Sequence, residues 1–426
     1  IECGLCSSMC PHSVIRPFLI TEDERNKSPV KLEVQKSKVG KKYQEYLFTI
    51  QVAAMGCTGC SKCAQICPVG AISMKGTTDE IFSQKQKKFD FTRSLPIRGA
   101  DLPPTSTKAV QFRQPLVEFH GACAGCGEPG IIKLISQLYG DSSYFAFATG
   151  CPVVWGASSP STAYTVNKDG KGPAWSSSLF EDHAEFGYGQ QRALRMRREQ
   201  AREAIETLKG LNKSGENSRL IQKLLDNWDS PEPSNVVSKF IQALESGDIQ
   251  CTPDLKATII NNKDYLSYKI NWIFGGDGWA YDIGYGGLDH ILASGEPVKV
   301  IVLDTEVYSN TGGQPSKASQ RGSATSFSAY GVGRKRKDLA LLAQSYRDIY
   351  VANTCFDADP KQCIRAVREA ASYNGPAIII NYCPCIEHNY KKQLGAAPMH
   401  CKELVKAGYL ILSRYDPRLL DQGKCP

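Results

Sequence analysis

The chain has 426 residues, 42% of them apolar and 22% charged, with a formal net charge of +8. That balance fits a soluble globular protein of two or three domains, with no run of 18 apolar residues to span a membrane and too little positive charge to imply a nucleic-acid partner. Its 17 cysteines would mean a disulfide scaffold in a short secreted chain, but here most sit at ligand spacing, which favours a reducing compartment.

The chain opens on Cys3-Gly-Leu-Cys6-Ser-Ser-Met-Cys10-Pro11, a C-x2-C-x3-C-P run. One more Cys before Ile1 would complete it, so Ile1 reads as an arbitrary cut, and a leader segment would be hidden by it. Tyr46–Val52 reads as a strand in the long gap that follows. Then comes Cys57-Thr-Gly-Cys60-Ser-Lys-Cys63-Ala-Gln-Ile-Cys67-Pro68, the full C-x2-C-x2-C-x3-C-P spacing that holds iron–sulfur clusters. Structural zinc sites pair two short Cys pairs across a longer gap and lack the final Cys-Pro. In two-cluster modules the last Cys of each run ligates the other cluster. One cluster would therefore take Cys57, Cys60, Cys63 and Cys10, and the other Cys3, Cys6, Cys67 and the absent Cys. Residues 1–75 are thus expected to form an α+β, two-[4Fe–4S] ferredoxin-like domain. Residues 76–115, polar and proline-rich, read as a linker or wrapping arm.

From 116 to 426 short apolar runs alternate with helical patterns. Strands are expected at Ser143–Ala148, Ile270–Gly275, Val298–Leu303, Ile349–Ala352 and Pro376–Tyr382, and helices at 130–139, 281–294, 338–346 and 360–372. This is an α/β layout with a doubly wound, mostly parallel sheet, whose ligands sit beyond the carboxyl ends of the strands. Residues 190–250 interrupt it with charged, helix-like segments, read as a helical insertion.

Within this part, Cys123-Ala-Gly-Cys126 is a C-x2-C pair that suits zinc, a redox dithiol or a cluster. Cys151 and Cys385 each follow an expected strand end, which makes a third cluster plausible, with Cys383 as rival to Cys385. Seven cysteines lie in the two runs and four in this set; one more before Ile1 would give twelve, enough for three [4Fe–4S] clusters. Cys251, Cys355, Cys363, Cys383, Cys401 and Cys425 lack ligand spacing and read as buried small hydrophobes.

Gly275-Gly276-Asp277-Gly278-Trp279 follows one expected strand and precedes a helix, a turn suited to phosphate, with Asp277 as a hard oxygen for Mg2+. A second strand ends in Asp304-Thr305-Glu306-Val307-Tyr308-Ser309-Asn310. This is the layout of a thiamin diphosphate motif, with Thr305 where Asn is common and Asp304 as a competing ligand. The basic run Arg334-Lys335-Arg336-Lys337 reads as a solvated loop in preference to a dock for an acidic electron carrier.

These segments, with Gly121–Glu128, Ala148–Cys151, Gly172–Asp182, Gly275–Gly284, Leu303–Gln314 and Arg414–Leu419, resemble the 2-oxoacid:ferredoxin oxidoreductase family over essentially the whole chain. The match is to the C-terminal part of the family's single-chain enzyme. The resemblance implies CoA-dependent oxidative decarboxylation of pyruvate to acetyl-CoA and CO2, with electrons passing through three [4Fe–4S] clusters to ferredoxin or flavodoxin. By resemblance, Cys123, Cys126, Cys151 and Cys385 ligate a proximal cluster. Asp277, Thr305 and the Val307 carbonyl ligate Mg2+. Glu128, Cys151, Gly276, Asp277, Gly278, Trp279, Thr305, Glu306, Val307, Tyr308, Ser309 and Asn310 contact thiamin diphosphate, with Asn310 near the substrate. Pro129-Gly130 departs from the family's Thr-Pro and bears on the local helix start. The resemblance further implies a homodimer, a location in the cytoplasm or a hydrogenosome-like organelle matrix, and N-terminal domains that are absent here. Those domains carry the groups that activate the cofactor, grip pyruvate and bind coenzyme A, so this piece alone is expected to lack turnover. Rival readings are a 2-oxoglutarate or branched-chain 2-oxoacid enzyme, a pyruvate:NADP+ enzyme continuing into a reductase, and a stand-alone electron-transfer protein.

Overall fold

The computed structural model describes residues 2–157, 161–231, 235–388 and 393–426. Near the N-terminus, strands β1 (Ile15–Ile20), β2 (Gln35–Lys36) and β3 (Leu47–Val52) form an antiparallel sheet in the order β1-β3-β2, with Ile15 opposite Val52. The two cysteine runs fold as tight loops around the short helices Leu5–Met9 and Lys62–Gln65. Gly4 starts the first helix at φ 75°, and a Cβ there would stand 2.3 Å from the Thr107 carbonyl oxygen. Only glycine fits that backbone at that distance.

The segment expected to be a linker carries a 16-residue helix, Asp79–Ser94, with Thr78 capping the N–H of Ile81. Phe89 is fully buried and packs with Cys10, Val14, Ile15 and Ala53, so the segment closes over the small sheet. Its periodicity is faint because only Phe89 and Thr92 are buried along four turns.

The larger domain is a seven-stranded sheet. Its strands are β4 (Ser143–Ala148), β5 (Ala174–Ser178), β6 (Ile270–Gly276), β7 (Lys299–Asp304), β10 (Tyr350–Thr354), β11 (Ala377–Tyr382) and β12 (Ser413–Tyr415), in the order β12-β10-β11-β7-β6-β4-β5. A separate two-stranded ribbon joins β8 (Val307–Tyr308) to β9 (Gln314–Pro315). All neighbours in the large sheet run parallel except the edge strand β12. Every residue of β7 and β11 is buried, because helices cover both faces. On one face, helices Glu128–Tyr139 and Pro360–Ser372 pack with Phe145, Trp272, Phe274 and Ile379; on the other, Tyr285–Ala293 and Leu339–Gln344 pack with Ile273, Val300, Val302 and Ile378. Each such side chain contributes about 1.5–3 kcal/mol on burial.

Five strands lie where the apolar runs place them. The two that do not announce themselves, β5 (Ala-Trp-Ser-Ser-Ser) and β12, are edge strands, half-exposed and without an apolar stripe. Pro129 is accommodated in the first turn of helix Glu128–Tyr139, where a missing N–H costs nothing. The helical insertion begins earlier than its charge pattern suggests, at His183. It runs through His183–Leu211, Gly215–Asp226, Val236–Ser246 and Pro253–Asn261, around its own core of Ile205, Leu208, Ile221, Leu224, Trp228 and Phe240. Residues 232–234 of the expected insertion lie outside the described residues. Among the described residues no helix is long and apolar enough to cross a membrane.

Candidate functional site

Strands β4, β6, β7 and β11 are neighbours and parallel, so their carboxyl ends share one edge of the sheet. The loops leaving that edge carry Cys151, Asp277, Thr305 and Cys385. Sequence positions more than 200 apart therefore meet where α/β sheets bind ligands.

Asp277 is buried, with 1% of its surface exposed. Its Oδ1 accepts the Thr305 N–H at 3.1 Å and lies 3.0 Å from Thr305 Oγ1, which in turn is 3.0 Å from the Val307 carbonyl oxygen. One hydroxyl proton serves only one of those two acceptors. The three oxygens thus crowd together with more lone pairs than protons, a donor set suited to a hard cation. Octahedral Mg2+ at about 2.1 Å from each ligand sets adjacent oxygens about 3 Å apart, so the spacing fits. Burial, reinforced by the nearby Asp304, pushes the Asp277 carboxyl well above the usual range, which a bound cation would reverse. Between Thr305 and Val307, Glu306 adopts φ 59°, a strained conformation for a residue with a side chain, in the turn that brings the Val307 carbonyl back over Thr305.

The rival ligand Asp304 is fully engaged elsewhere. It ion-pairs with Arg336, accepts the Tyr281 hydroxyl at 3.2 Å and takes the Glu306 N–H at 3.0 Å. The Glu306 side chain also turns away, onto Arg336 at 2.7 Å and the Tyr409 hydroxyl at 2.8 Å. The basic run 334–337 is therefore only in part a solvated loop. Arg336 holds two buried carboxylates and Lys337 Nζ sits over the Tyr285 ring, while Arg334, which donates to the Ser316 carbonyl, and Lys335 are exposed.

Glycines around Asp277 are needed for space. A Cβ on Gly278 would come 2.5 Å from the Tyr308 ring, and one on Gly275 would come 2.2 Å from the Trp279 ring. Trp279 itself is fully buried beside His183, so its side chain belongs to the core and only its backbone reaches the site turn. Residues Gly278–Ile283 form a π-helical turn, a feature common at functional sites. Gly276 ends β6 beside Leu303.

The β7 loop meets the cysteines directly. Ser309 Oγ and Asn310 Nδ2 both lie 3.6 Å from Cys151 Sγ. Glu128 is buried and accepts the Trp155 indole N–H at 3.0 Å; burial lifts its carboxyl to about 7. Its charge is felt at Cys126, Cys151 and Cys385. Cys126 in turn feels Cys385, and Cys151 feels Cys123, so the four predicted thiols occupy one neighbourhood. Cys383 is sealed in the core between the Asn381 side-chain amide (3.2 Å) and its carbonyl (3.3 Å). Cys385, partly exposed, has the open face.

The N-terminal thiols divide in the same way. Cys6 feels Cys3 and Cys67, while Cys60 and Cys63 feel Cys57 and Cys10, which is the crossed pairing expected of two such runs. Backbone N–H groups led by Val69 and Ala71 point at the Cys67 sulfur and lower its thiol below the ordinary value. All 17 cysteines are free thiols. Among the described residues no three His, Cys, Asp or Glu side chains close to the spacing of a single bound ion. Sequence spacing did not point to His388, whose ring contacts the Thr305 carbonyl, or to Ser316, which donates to Asp277. Neither lies in a recognisable motif.

Two family models match. The model for thiamine pyrophosphate enzymes, C-terminal TPP binding domain, covers residues 266–380, and that for a 4Fe-4S dicluster domain covers 1–71. The chain is 45% identical over 432 residues to the pyruvate:ferredoxin oxidoreductase of Moorella thermoacetica and 40% identical over 425 residues to the pyruvate-flavodoxin oxidoreductase of Klebsiella pneumoniae, in each case 100% of this chain and 36% of the relative. It is also 40% identical over 432 residues to the mitochondrial pyruvate dehydrogenase [NADP(+)] of Euglena gracilis, with 23% of that protein covered. A solved 2-oxoglutarate:ferredoxin oxidoreductase from Magnetococcus marinus aligns at TM-score 0.35 and 15% identity, over 66% of this chain and 75% of that one. The chain thus spans about a third of the length of the ferredoxin and flavodoxin relatives it matches. Along its full length the chain is 40–45% identical to one part of pyruvate:ferredoxin and pyruvate-flavodoxin oxidoreductases, and it carries segments that match both cofactor-domain models.

Proposed function

We propose that this chain forms the cofactor-bearing part of an enzyme that oxidises pyruvate and CoA to acetyl-CoA and CO2 and passes the electrons to ferredoxin or flavodoxin. The observation that carries this is the contact between two kinds of site. The Asp277–Thr305–Val307 oxygens and the Cys151 thiol are linked through one loop, 305–310. Bound thiamin diphosphate supplies the electron sink for CO2 loss, and iron–sulfur clusters take electrons singly.

In this reading Asp277, Thr305 and the Val307 carbonyl hold Mg2+ on the diphosphate. Cys123, Cys126, Cys151 and Cys385 hold the cluster beside it. Cys10, Cys57, Cys60 and Cys63 hold a second cluster, and Cys3, Cys6 and Cys67 bind a third. Asn310, exposed and beside Cys151, orients the substrate. Asn310 donates toward the Cys151 sulfur and Ser309 Oγ lies equally close, while burial pushes the free thiol up to about 11. The rest of the enzyme grips pyruvate and CoA, a second copy completes a homodimer, and the whole works in the cytoplasm or an anaerobic organelle matrix. The piece alone is inactive.

The test is electron-acceptor reduction by the complete enzyme that contains this chain. Pyruvate with CoA should reduce ferredoxin or flavodoxin, and 2-oxoglutarate should not. Preference for another 2-oxoacid, or failure to bind thiamin diphosphate, would overturn the reading. One observation favours a second reading, since the NADP(+) relatives match the same residues at 38–40% identity. Pyruvate-dependent NADP+ reduction would select it.

A further inference from the structure

Two buried lysines tie the small cysteine-rich domain to the α/β domain, in opposite directions. Lys133, on helix Glu128–Tyr139, donates to the carbonyls of Ser7 (2.8 Å), Ser8 (2.5 Å) and Cys10 (2.7 Å). It caps the last turn of helix Leu5–Met9, between Cys6 and Cys10. Lys62 runs the other way. It lies between Cys60 and Cys63, is 2% exposed, and sends its ammonium to Asp357 Oδ1 at 2.5 Å, in the loop after β10. Both side chains of the pair are 3% exposed. Asp357 Oδ1 has no well-aligned hydrogen-bond donor, so the contact is a charge pair. The backbones also touch, because a Cβ on Gly395 would stand 2.2 Å from the Cys60 carbonyl oxygen.

Lys62 acts on Cys60 in its own loop and on Cys126 across the boundary. One positive charge, shielded from water, therefore stands between a thiol of the 10/57/60/63 set and a thiol of the 123/126/151/385 set. We propose that the Lys62–Asp357 pair tunes the reduction potentials of these two neighbouring clusters. Lys62 is a positioning residue that supplies field as well as spacing. This rests on the cluster assignment above.

The physics is a Coulomb term in a poorly screened interior. An electron arriving on either cluster adds one negative charge, and the ammonium stabilises that reduced state while keeping its own proton. Nothing else is transferred. The Asp357 carboxylate opposes the effect. The cluster assigned to Cys3, Cys6 and Cys67 is followed in the same titration.

The experiment is an EPR-monitored redox titration of the loaded holoenzyme and four variants. Lys62→Met should move the potential of one or both neighbouring clusters more negative, and Asp357→Asn should move it more positive. The double variant should return toward the parent, and Lys62→Arg should stay near it. Shifts of the same sign in both single variants, or none, would overturn the proposal. If Lys62→Met fails to retain iron, the Asp357→Asn and Lys62→Arg results decide. A parent enzyme with fewer than three clusters would overturn the cluster assignment instead, which is a separate outcome.

Discussion

Arg336 reaches inward from a run of four basic residues to the buried carboxylate of Asp304, directly beneath the thiamin-type loop. The same guanidinium also holds Glu306 at 2.7 Å and meets the Tyr281 hydroxyl at 3.1 Å. Two carboxylates only two positions apart in a buried loop repel, and this single cation offsets that repulsion at the Glu306 turn.

Arg336→Met should therefore destabilise the protein by about 3 kcal/mol, the scale for leaving buried charge unpaired. Lys335→Met, one position away and exposed, should change stability by less than about 0.5 kcal/mol. Thermal unfolding of both variants checks the contrast. Equal effects would mean that the run is solvated after all.

Asp277→Asn keeps an oxygen to accept the Thr305 N–H but removes the charge. Metal-dependent thiamin diphosphate binding should weaken about 100-fold, the upper end of the range for perturbing metal sites. Calorimetry with Mg2+ and the cofactor measures it. The cofactor-free protein should melt at or above the parent temperature, because a buried carboxyl pushed strongly upward is replaced by a neutral amide. Loss of binding with a large drop in the cofactor-free melting temperature would point to a structural role instead.

Cys385→Ser and Cys383→Ser separate two cysteines only two positions apart. The first should lose about four irons per chain and the EPR signal of one cluster. The second should keep the iron and lose only stability, since Cys383 is sealed between the Asn381 amide and carbonyl. Iron analysis that reverses the two results would reassign the ligand.

What the sequence disclosed followed the physics of each element. Strands such as β7 and β11 are buried on both faces, so they read as uninterrupted apolar runs and were placed within a residue or two. Edge strands β5 and β12 bury little and left no such trace. The cysteine runs and the Gly-Asp-Gly turn were legible because a cluster or a diphosphate imposes local spacing. The pairing that engages Asp304 was not, because its partner Arg336 lies 32 positions away in the chain. Lys62 and Lys133 were equally silent. A single lysine looks like surface in one dimension, and its partners lie at Asp357 and at Ser7 to Cys10.

Lys299, the first residue of β7, offers a pH test away from every cysteine and from Asp277. It is fully buried and donates to the carbonyls of Tyr373 (2.5 Å) and Gly375 (2.8 Å). Burial, with a smaller push from Arg418, lowers its ammonium from the ordinary 10.5 to about 7. In the unfolded chain the group keeps its proton up to its ordinary value, so between those two limits the unfolded state binds more protons than the folded one. Stability from this group therefore rises with pH across that window and falls as pH drops toward 7. Lys299→Met removes the titration and leaves two carbonyls without a donor. The parent should gain over the variant in melting temperature on going from pH about 7 to about 9.5. A difference that stays constant across that range would show that the Lys299 ammonium is as comfortable in the folded protein as in water, and that its two carbonyl contacts fully replace solvent.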